Sequence, residues 1–442
     1  MDFDYIHPRD QIVMIMERIY GYGMTTTSGG NLSILDDNGD LWITPSGIDK
    51  GSLQGRDIVL VKADGRIEGI HKPSVEYPFH LAIYKARPDV KAVLHAHPAA
   101  LVSFSVAKRI PDTAIIPQAR HVCGKIGYAA YAIPGSVELG ERIAACFAEG
   151  FSEVMLENHG VVTAGPSLFE AFQRFETLDF CARISLKAAL LGTIRPLTCR
   201  QFDLFAKKRN DLPEFTPSNH SSLECGVRKD VCQMLRRAYD HQLVTSTEGT
   251  VSVRIDKTSF VITPYAKDRK YLEEKDLVLV SDSKRENGKI PSRSVLMHQR
   301  LYERHPELGA IVIAHPPSVM AFAVTDAAFD TRTIPESYLV LRDIPKLPYG
   351  TQFMDVERLA ATLSTDNPAV ILENDCLIVG GENLLQAYDR LEVAEFTARA
   401  LIAGKAIGEM VPISQDQINE LKARFLHQQG GASPQSNQGV IS

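Results

Sequence analysis

No run of apolar residues in this chain approaches the roughly 18 needed to cross a bilayer, which excludes a membrane span. Positive charge is also scarce. The net charge is −6, with no basic stripe and no interleaving of aromatic and basic residues, so nucleic acid is not an expected partner. Short positive runs such as Lys207-Lys208-Arg209 and Arg236-Arg237 read as solvated faces. Cysteine-x-x-cysteine pairing is absent. The seven cysteines (Cys123, Cys146, Cys181, Cys199, Cys225, Cys232 and Cys376) are odd in number, which points to reduced thiols and a cytoplasmic location. The first residues, Met1 to Tyr5, are acidic and lack an apolar core, so no secretory leader is expected. What remains, 44% hydrophobic and 23% charged residues, is ordinary for a globular protein.

Against that plain background, His95-Ala96-His97 stands out, in the run Ala92-Val93-Leu94-His95-Ala96-His97-Pro98. The run reads as a short buried strand, and a period of two puts both imidazoles on one face. Imidazole suits zinc, and two converging ring nitrogens make half of a clamp. Downstream, the strand Glu153–Leu156 enters the turn Glu157-Asn158-His159-Gly160, which offers a third ligand. Three histidines with one open position describe a catalytic metal site rather than a closed structural one.

A carboxylate lies upstream, in His71-Lys72-Pro73-Ser74-Val75-Glu76. Ser74 reads as the N-cap of a helix with Glu76 in its first turn, where the helix dipole favours an ionised group. Glu76 is then either a helix-start charge or a general acid/base beside a metal. Two further segments, Thr26-Thr27-Ser28-Gly29-Gly30-Asn31-Leu32-Ser33 and Trp42-Ile43-Thr44-Pro45-Ser46-Gly47, offer backbone N–H groups and short donors to an anion. Each reads equally well as a turn.

Taken in order, Gly30-Asn31-Leu32-Ser33, Ile43-Thr44-Pro45-Ser46-Gly47, Lys72-Pro73-Ser74-x-Glu76, His95-x-His97 and Asn158-His159-Gly160 resemble the class II aldolase/adducin family over roughly residues 8–200. The resemblance implies one zinc ion held by His95, His97 and His159, with Glu76 as the acid/base. It implies a phosphate pocket at Asn31, Ser46, Gly47 and Ser74. Val75 departs from a second serine in the aldolases, and His121 falls near a tyrosine lent by a neighbouring subunit in the fuculose enzyme. Arg120 and His121 are therefore read as substrate contacts or as a surface loop. Glu76 in place of Asp argues against the epimerase branch.

The motifs occur twice. Ile43-Thr44-Pro45 returns as Ile262-Thr263-Pro264, Pro73-Ser74 as Pro291-Ser292, and His80 as His298. His97-Pro98 returns as His315-Pro316 and Leu156-Glu157-Asn158 as Leu372-Glu373-Asn374, at offsets of 219, 218, 218, 218 and 216. In the second copy Ile313 replaces His95, Asp375 replaces His159, Ser294 replaces Glu76, Thr250 replaces Asn31, and Tyr265-Ala266 replace Ser46-Gly47. One remaining histidine, His315, does not make a zinc site. His80 persists in the copy without a site, so it is expected to be a packed or hydrogen-bonded helix residue.

The expected organisation is a catalytic domain at 1–206, a linker at 207–222, a degenerate copy at 223–428 and a disordered tail at 429–442. Helices are expected at Gln11–Tyr20, Glu76–Ala86, Glu138–Ala148 and Leu168–Ala189. Strands are expected near Asn31–Leu35, Leu41–Thr44, Ile58–Lys62, Ala92–His97 and Val154–Leu156. The fold class is α+β, a three-layer α/β/α arrangement with a mainly antiparallel central sheet in each copy. The resemblance further implies a homodimer that forms a pseudo-fourfold ring, or a higher homo-oligomer, with repeat two either walling the site through residues such as Tyr338, Arg342 or Arg332 or only burying interface. The expected activity is zinc-dependent cleavage of a carbon–carbon bond in a small hydroxy-carbonyl substrate, expected to be a sugar phosphate, through an enediolate. Decarboxylation of a keto or hydroxy acid is the alternative within the same chemistry, and an adducin-like assembly module the alternative outside it.

Overall fold

The computed structural model describes residues 3–206 and 211–426. The expected tail and the first residues of the expected linker lie outside them. Eight strands form the first sheet: β1 (Asn31–Leu35), β2 (Leu41–Ile43), β3 (Val59–Val61), β4 (Ile67–Glu68), β5 (Ala92–Ala96), β6 (Gly127–Ala129), β7 (Glu153–Leu156) and β8 (Val161–Gly165). Nine form the second: β9 (Glu214–Phe215), β10 (Thr250–Arg254), β11 (Ser259–Ile262), β12 (Val278–Ser281), β13 (Lys284–Glu286), β14 (Ala310–Ala314), β15 (Lys346–Leu347), β16 (Ala369–Leu372) and β17 (Cys376–Gly381).

The first sheet runs β6-β7-β8-β5-β1-β2-β3-β4 and the second β15-β16-β17-β14-β10-β11-β12-β13, with β9 added at its edge. The strand orders are the same, so the duplication holds at the level of topology. Only β6–β7, β15–β16 and β13–β9 pair in parallel; the other pairs are antiparallel. The edge strand β9 falls in the stretch expected as linker, where Glu214 and Phe215 pair with Arg285 and Glu286.

The helices of the first repeat are α1 (Pro8–Gly21), α2 (Tyr77–Ala86), α3 (Ala99–Val106), α4 (Pro117–Cys123), α5 (Val137–Ala148), α6 (Leu168–Ala188) and α7 (Cys199–Ala206). Those of the second are α8 (Ser222–Asp240), α9 (Val295–Arg304), α10 (Pro317–Ala323), α11 (Pro335–Leu341), α12 (Thr351–Met354), α13 (Val356–Thr362), α14 (Leu384–Gly404) and α15 (Gln415–Phe425). Caps set the long ones: the Ser136 side chain accepts from Leu139 N–H to start α5, and Ser167 accepts from Glu170 N–H to start α6.

Helices cover both faces of the first sheet, as three layers require. One apolar cluster joins Leu94 and Met155 to Ile15 on α1, Leu101 on α3 and Phe175 on α6. The opposite cluster joins Val93 and Val162 to Phe79 on α2 and Ile143 on α5. Alternation along β5 drives this, since Val93 and Leu94 point to opposite faces and both are buried. A third cluster runs across the two repeats, packing Ile116, Phe180 and Ile184 with Leu235, Val319 and Phe322. No helix among the described residues is long and apolar enough to cross a membrane.

One buried acid makes this core sensitive to pH. Glu153, at the start of β7, is buried with no hydrogen-bond partner for either carboxylate oxygen, and Arg174 Nε lies 3.6 Å away. Burial pushes its carboxyl up from 4.5 to about 8. The folded state therefore keeps a proton that the unfolded chain releases. Its contribution is full below about pH 4.5 and is lost as pH rises through about 8. Glu153→Gln is expected to flatten the fall in stability between those values and to lead the wild type by on the order of a few kcal/mol above pH 8. Urea denaturation across that pH range measures it; parallel profiles would refute it.

Candidate metal centre and active site

β5 is the central strand of its sheet, bonded to β1 on one side and β8 on the other. His95 lies one residue before its end and is fully buried, and His97 follows just past the strand. The third histidine arrives from the β7–β8 turn. Asn158 takes a left-handed backbone there, at φ 55°, and the following Gly160 leaves no room for a side chain. A Cβ on Gly160 would lie 2.6 Å from the Ala96 carbonyl and 2.6 Å from His97 Cδ2, so glycine lets the turn sit against β5. The Ser105 hydroxyl on α3 fixes the turn further by accepting from His159 N–H at 2.9 Å.

These elements bring one ligand nitrogen of each of His95, His97 and His159 within 4.8 Å of one another. The Nε2 atoms of His95 and His97 are 2.9 Å apart, close to the roughly 3.3 Å edge of a tetrahedral site with zinc–nitrogen bonds of about 2.0–2.1 Å. His95 Nδ1–H donates to the Val161 carbonyl at 2.9 Å, so its Nε2 lone pair faces the cluster, the tautomer a metal ligand needs. Burial holds the His95 and His97 imidazoles neutral, down at about 3, with the neighbouring histidines adding to it, and burial lowers His159 in the same direction. Neutral imidazoles keep their lone pairs at pH 7. The residues present fit a divalent metal with three histidine ligands.

Glu76 closes the cluster. Its Oε2 lies 3.4 Å from His95 Nε2 and its Oε1 3.7 Å from His159 Nε2. The expected capping is corrected here: Glu76 itself occupies the N-cap position of α2, with φ −91° and ψ 3°, and Ser74 precedes the helix. Pro73 forms an isolated bridge with Pro45, and Ser74 N–H donates to the Thr44 carbonyl, so that segment is committed to the sheet before the helix begins.

Asn31 holds the carboxylate. Its Nδ2 donates to Glu76 Oε2 at 2.6 Å, while its Oδ1 accepts from His80 Nε2 at 2.5 Å. Ser33 in turn bonds His80 Nδ1 at 2.7 Å and the Tyr84 hydroxyl at 2.7 Å. Burial keeps His80 neutral, down at about 3, so its one N–H decides which end of the Asn31 amide faces Glu76. His80 is thus a buried hydrogen-bonded residue, as expected. The sheet register that sets Asn31 opposite His95 creates this link, and no motif announced it. The same bridge of Pro45 to Pro73 lays Ser46 and Gly47 beside Ser74, while Gly47 turns with φ 69°.

Arg120 and His121 are not brought to this cluster. Arg120 donates to Thr113 Oγ1 and the Gly124 carbonyl, and His121 stands 5.9 Å from the Phe205 ring at the junction of the repeats. There, His121, Gln118 and Phe205 face Thr250, Arg293 and His315 across a cavity of about 470 Å³. That cavity is the second repeat's counterpart of the metal site. Thr250 pairs with Ile313 in the register that joins Asn31 to His95. His315 Nε2 lies 3.4 Å from Glu248, and Asp375 accepts from Gln352. Among the described residues, no second cluster of three such ligands occurs there.

A family model for the class II aldolase and adducin N-terminal domain matches the chain twice, over residues 10–186 and 229–402. An L-fuculose phosphate aldolase of Methanococcus maripaludis is 34% identical over 174 residues, which are 39% of this chain and 93% of its own. A 3-oxo-tetronate 4-phosphate decarboxylase of Haemophilus influenzae is 32% identical, over 40% of this chain and 85% of its own. A 5-deoxy-D-ribulose 1-phosphate aldolase of Bacillus thuringiensis is 31% identical, over 45% of this chain and 94% of its own. Among solved structures, an L-fuculose 1-phosphate aldolase is 31% identical with a TM-score of 0.41, covering 46% of this chain and 95% of its own. Each relative has the length of one repeat. The chain belongs to the class II aldolase and adducin N-terminal domain family and carries its domain twice.

Proposed function

We propose that the first repeat is a metal-dependent lyase that breaks a carbon–carbon bond in a small phosphorylated hydroxy-carbonyl compound. The observation that carries this reading is Glu76 held by Asn31 within 3.4 Å of His95, beside three neutral imidazoles. A divalent ion held by His95, His97 and His159, with zinc preferred, supplies Lewis acidity beside the substrate oxygens. When the bond breaks, its electron pair stays on the hydroxy-carbonyl fragment as an enediolate, and the hydroxyl carbon on the other side becomes an aldehyde as its O–H proton passes to water. Glu76 returns a proton to that carbon, or removes it in the reverse direction. Ser46 and Ser74 offer hydroxyls, Gly47 a backbone N–H and Asn31 its second amide N–H to a phosphate at the far end. The named relatives above act on phosphorylated compounds, which supports that role.

Decarboxylation of a keto acid phosphate is a second reading, favoured by the Haemophilus influenzae relative and by Val75 where the aldolases carry a second serine. It shares the enediolate and its protonation, but carbon dioxide leaves in place of an aldehyde and no hydroxyl proton is removed. The test is metal content followed by turnover of sugar phosphates and keto acid phosphates, scoring aldehyde against carbon dioxide. About one zinc per chain and inhibition by inorganic phosphate are expected. Absence of metal after zinc is offered would refute the lyase and leave an assembly module.

A further inference from the structure

The second repeat lacks the three histidines but keeps a cavity in their place. About 470 Å³ lies between the repeats, walled on one side by Gln118 and His121 of α4 and Phe205 of α7, and on the other by Thr250, Ser292 and Arg293. That volume falls within the roughly 300–1,000 Å³ of ordinary small-molecule pockets. Protein interiors close around unused space, because an unfilled cavity forfeits packing contacts. Ile313 takes the place of His95, but elsewhere the exchanges add polar groups rather than apolar filling. Ser294 stands where Glu76 stands in the first repeat, Asp375 where His159 stands, and Arg293 where Val75 stands.

Arg293 carries most of the information. Its guanidinium lies 4.1 Å over the Phe205 ring and 5.7 Å from the Tyr265 ring, and one nitrogen donates to Gln118 Oε1 at 3.3 Å. Among the described residues it forms no ion pair. A half-buried cation is thus held flat on an aromatic face with one amide partner, a state whose desolvation an anion would offset. The other arginine in the wall, Arg269, is spent on the carbonyls of Gly249, Lys267 and Thr247. The Tyr349 hydroxyl is buried without a hydrogen-bond partner among the described residues. Burial pushes that hydroxyl up, with Asp375 adding to it and Arg293 opposing, so it is an O–H donor at neutral pH. Thr250, Ser292 and Ser294, each 5–7% exposed, form a chain of hydroxyls at spacings of 2.8 Å and 3.0 Å.

These groups suit an anion, but a bare anion leaves the rest of the cavity unmatched. Two carboxylates line it as well. Asp375 accepts from Gln352 Nε2 at 2.8 Å and from Cys376 Sγ at 3.5 Å, both on Oδ2, and Glu248 lies 3.4 Å from His315 Nε2. Among the described residues Asp375, Glu248 and His315 do not reach the spacing of a metal-ligand group. The two carboxylates therefore do not converge on one cation, metal or ammonium, and the partner that suits each is a hydroxyl donor.

We propose that the second repeat is a metal-free binding site for a small anionic polyol, a sugar-like compound that carries a phosphate or a carboxylate. Arg293, Tyr349 and the hydroxyls of Ser292 and Ser294 take the anion, and Asp375 and Glu248 accept from hydroxyls at the other end. Ser294 in place of Glu76 leaves no carboxylate at the acid/base position, so the site binds without breaking a carbon–carbon bond. Because α4 and α7 belong to the first repeat, the ligand sits across the junction and touches both copies. The proposal is separate from the lyase reading, since it draws on neither the three histidines nor Glu76.

Equilibrium dialysis of the full chain against radiolabelled glycerol 3-phosphate and, separately, glycerate tests it. Arg293→Leu should bind one molecule fewer than the wild type. A fall from two to one supports both this site and the phosphate pocket of the first repeat; a fall from one to none supports this site and removes that pocket. Arg293→Lys keeps the charge but loses the stacked fork, and should bind the same number as the wild type with roughly tenfold lower affinity. Tyr349→Phe keeps the ring and should weaken the same event by about three- to tenfold. Preference for glycerol 3-phosphate assigns a phosphate and preference for glycerate a carboxylate, and either supports the site. Equal counts in the wild type and Arg293→Leu would overturn it, as would failure of both probes to bind at millimolar concentration. Should Arg293→Leu not fold, an unchanged affinity in Tyr349→Phe overturns it instead.

Discussion

Replacing Glu76 with glutamine is expected to lower turnover by roughly 10²–10⁴-fold while leaving one metal ion per chain in place. Glutamine has nearly the size of glutamate, so the packing around α2 should survive. Its amide oxygen can still accept from Asn31 Nδ2, the contact that holds Oε2 at 2.6 Å. What it cannot do is carry a proton to or from carbon. The three candidate histidines are set by other groups, the Val161 carbonyl for His95 and the Ser105 hydroxyl for the His159 backbone, so metal content should not follow turnover. Steady-state rates and metal analysis on one preparation separate the two quantities. Full activity in Glu76→Gln would remove this residue from the chemistry.

His95→Ala should behave differently, losing metal and turnover together. His95 is the most enclosed of the three candidate histidines, fully buried with its ring edge-on to Phe79 at 5.6 Å. Two imidazoles remain after the change, and affinity should fall by more than the roughly 10–100-fold typical of losing a residue that merely orients a ligand. The vacated core volume adds a stability loss of about 2 kcal/mol or more, by analogy with other large-to-small changes in cores. His315→Ala serves as the control and should change neither metal content nor turnover, because Ile313 already stands in the place of His95. Metal retained by His95→Ala would mean that the three histidines do not form the site.

The elements around the histidine cluster are legible in the sequence. Strand β1 matches its expected bounds, and strands β5 and β7 and helices α2 and α6 fall within one residue of theirs. Their apolar period and flanking turn residues are local properties. Helix α3 and strand β8 carry no such local signal. Ala99–Val106 is apolar all round and shows no helical stripe, and Val161–Gly165 follows its partner strand directly after the turn that carries His159. The cap of α2 falls on Glu76 rather than Ser74 because the bridge of Pro73 to Pro45, 28 residues earlier, and the bond from Ser74 N–H to the Thr44 carbonyl commit that segment to the sheet. A cap motif reports only its own turn.

By itself, the order of residues determined the family, the two copies, the loss of ligands in the second and the three histidines of the first. Those follow from residue types at short, fixed spacings, where chain geometry leaves little choice. Only the tertiary structure decided that Asn31 grips Glu76 and that His80 orients Asn31, since strand register and helix packing bring together residues 45 and 49 positions apart. It also decided that α4 faces the second repeat rather than the histidine cluster of its own repeat. A sequence repeat states which surfaces are equivalent. Which of them are already covered depends on how the two copies pack, and that is settled by contacts across more than 200 positions, such as Arg18 to Tyr239 and Asp268.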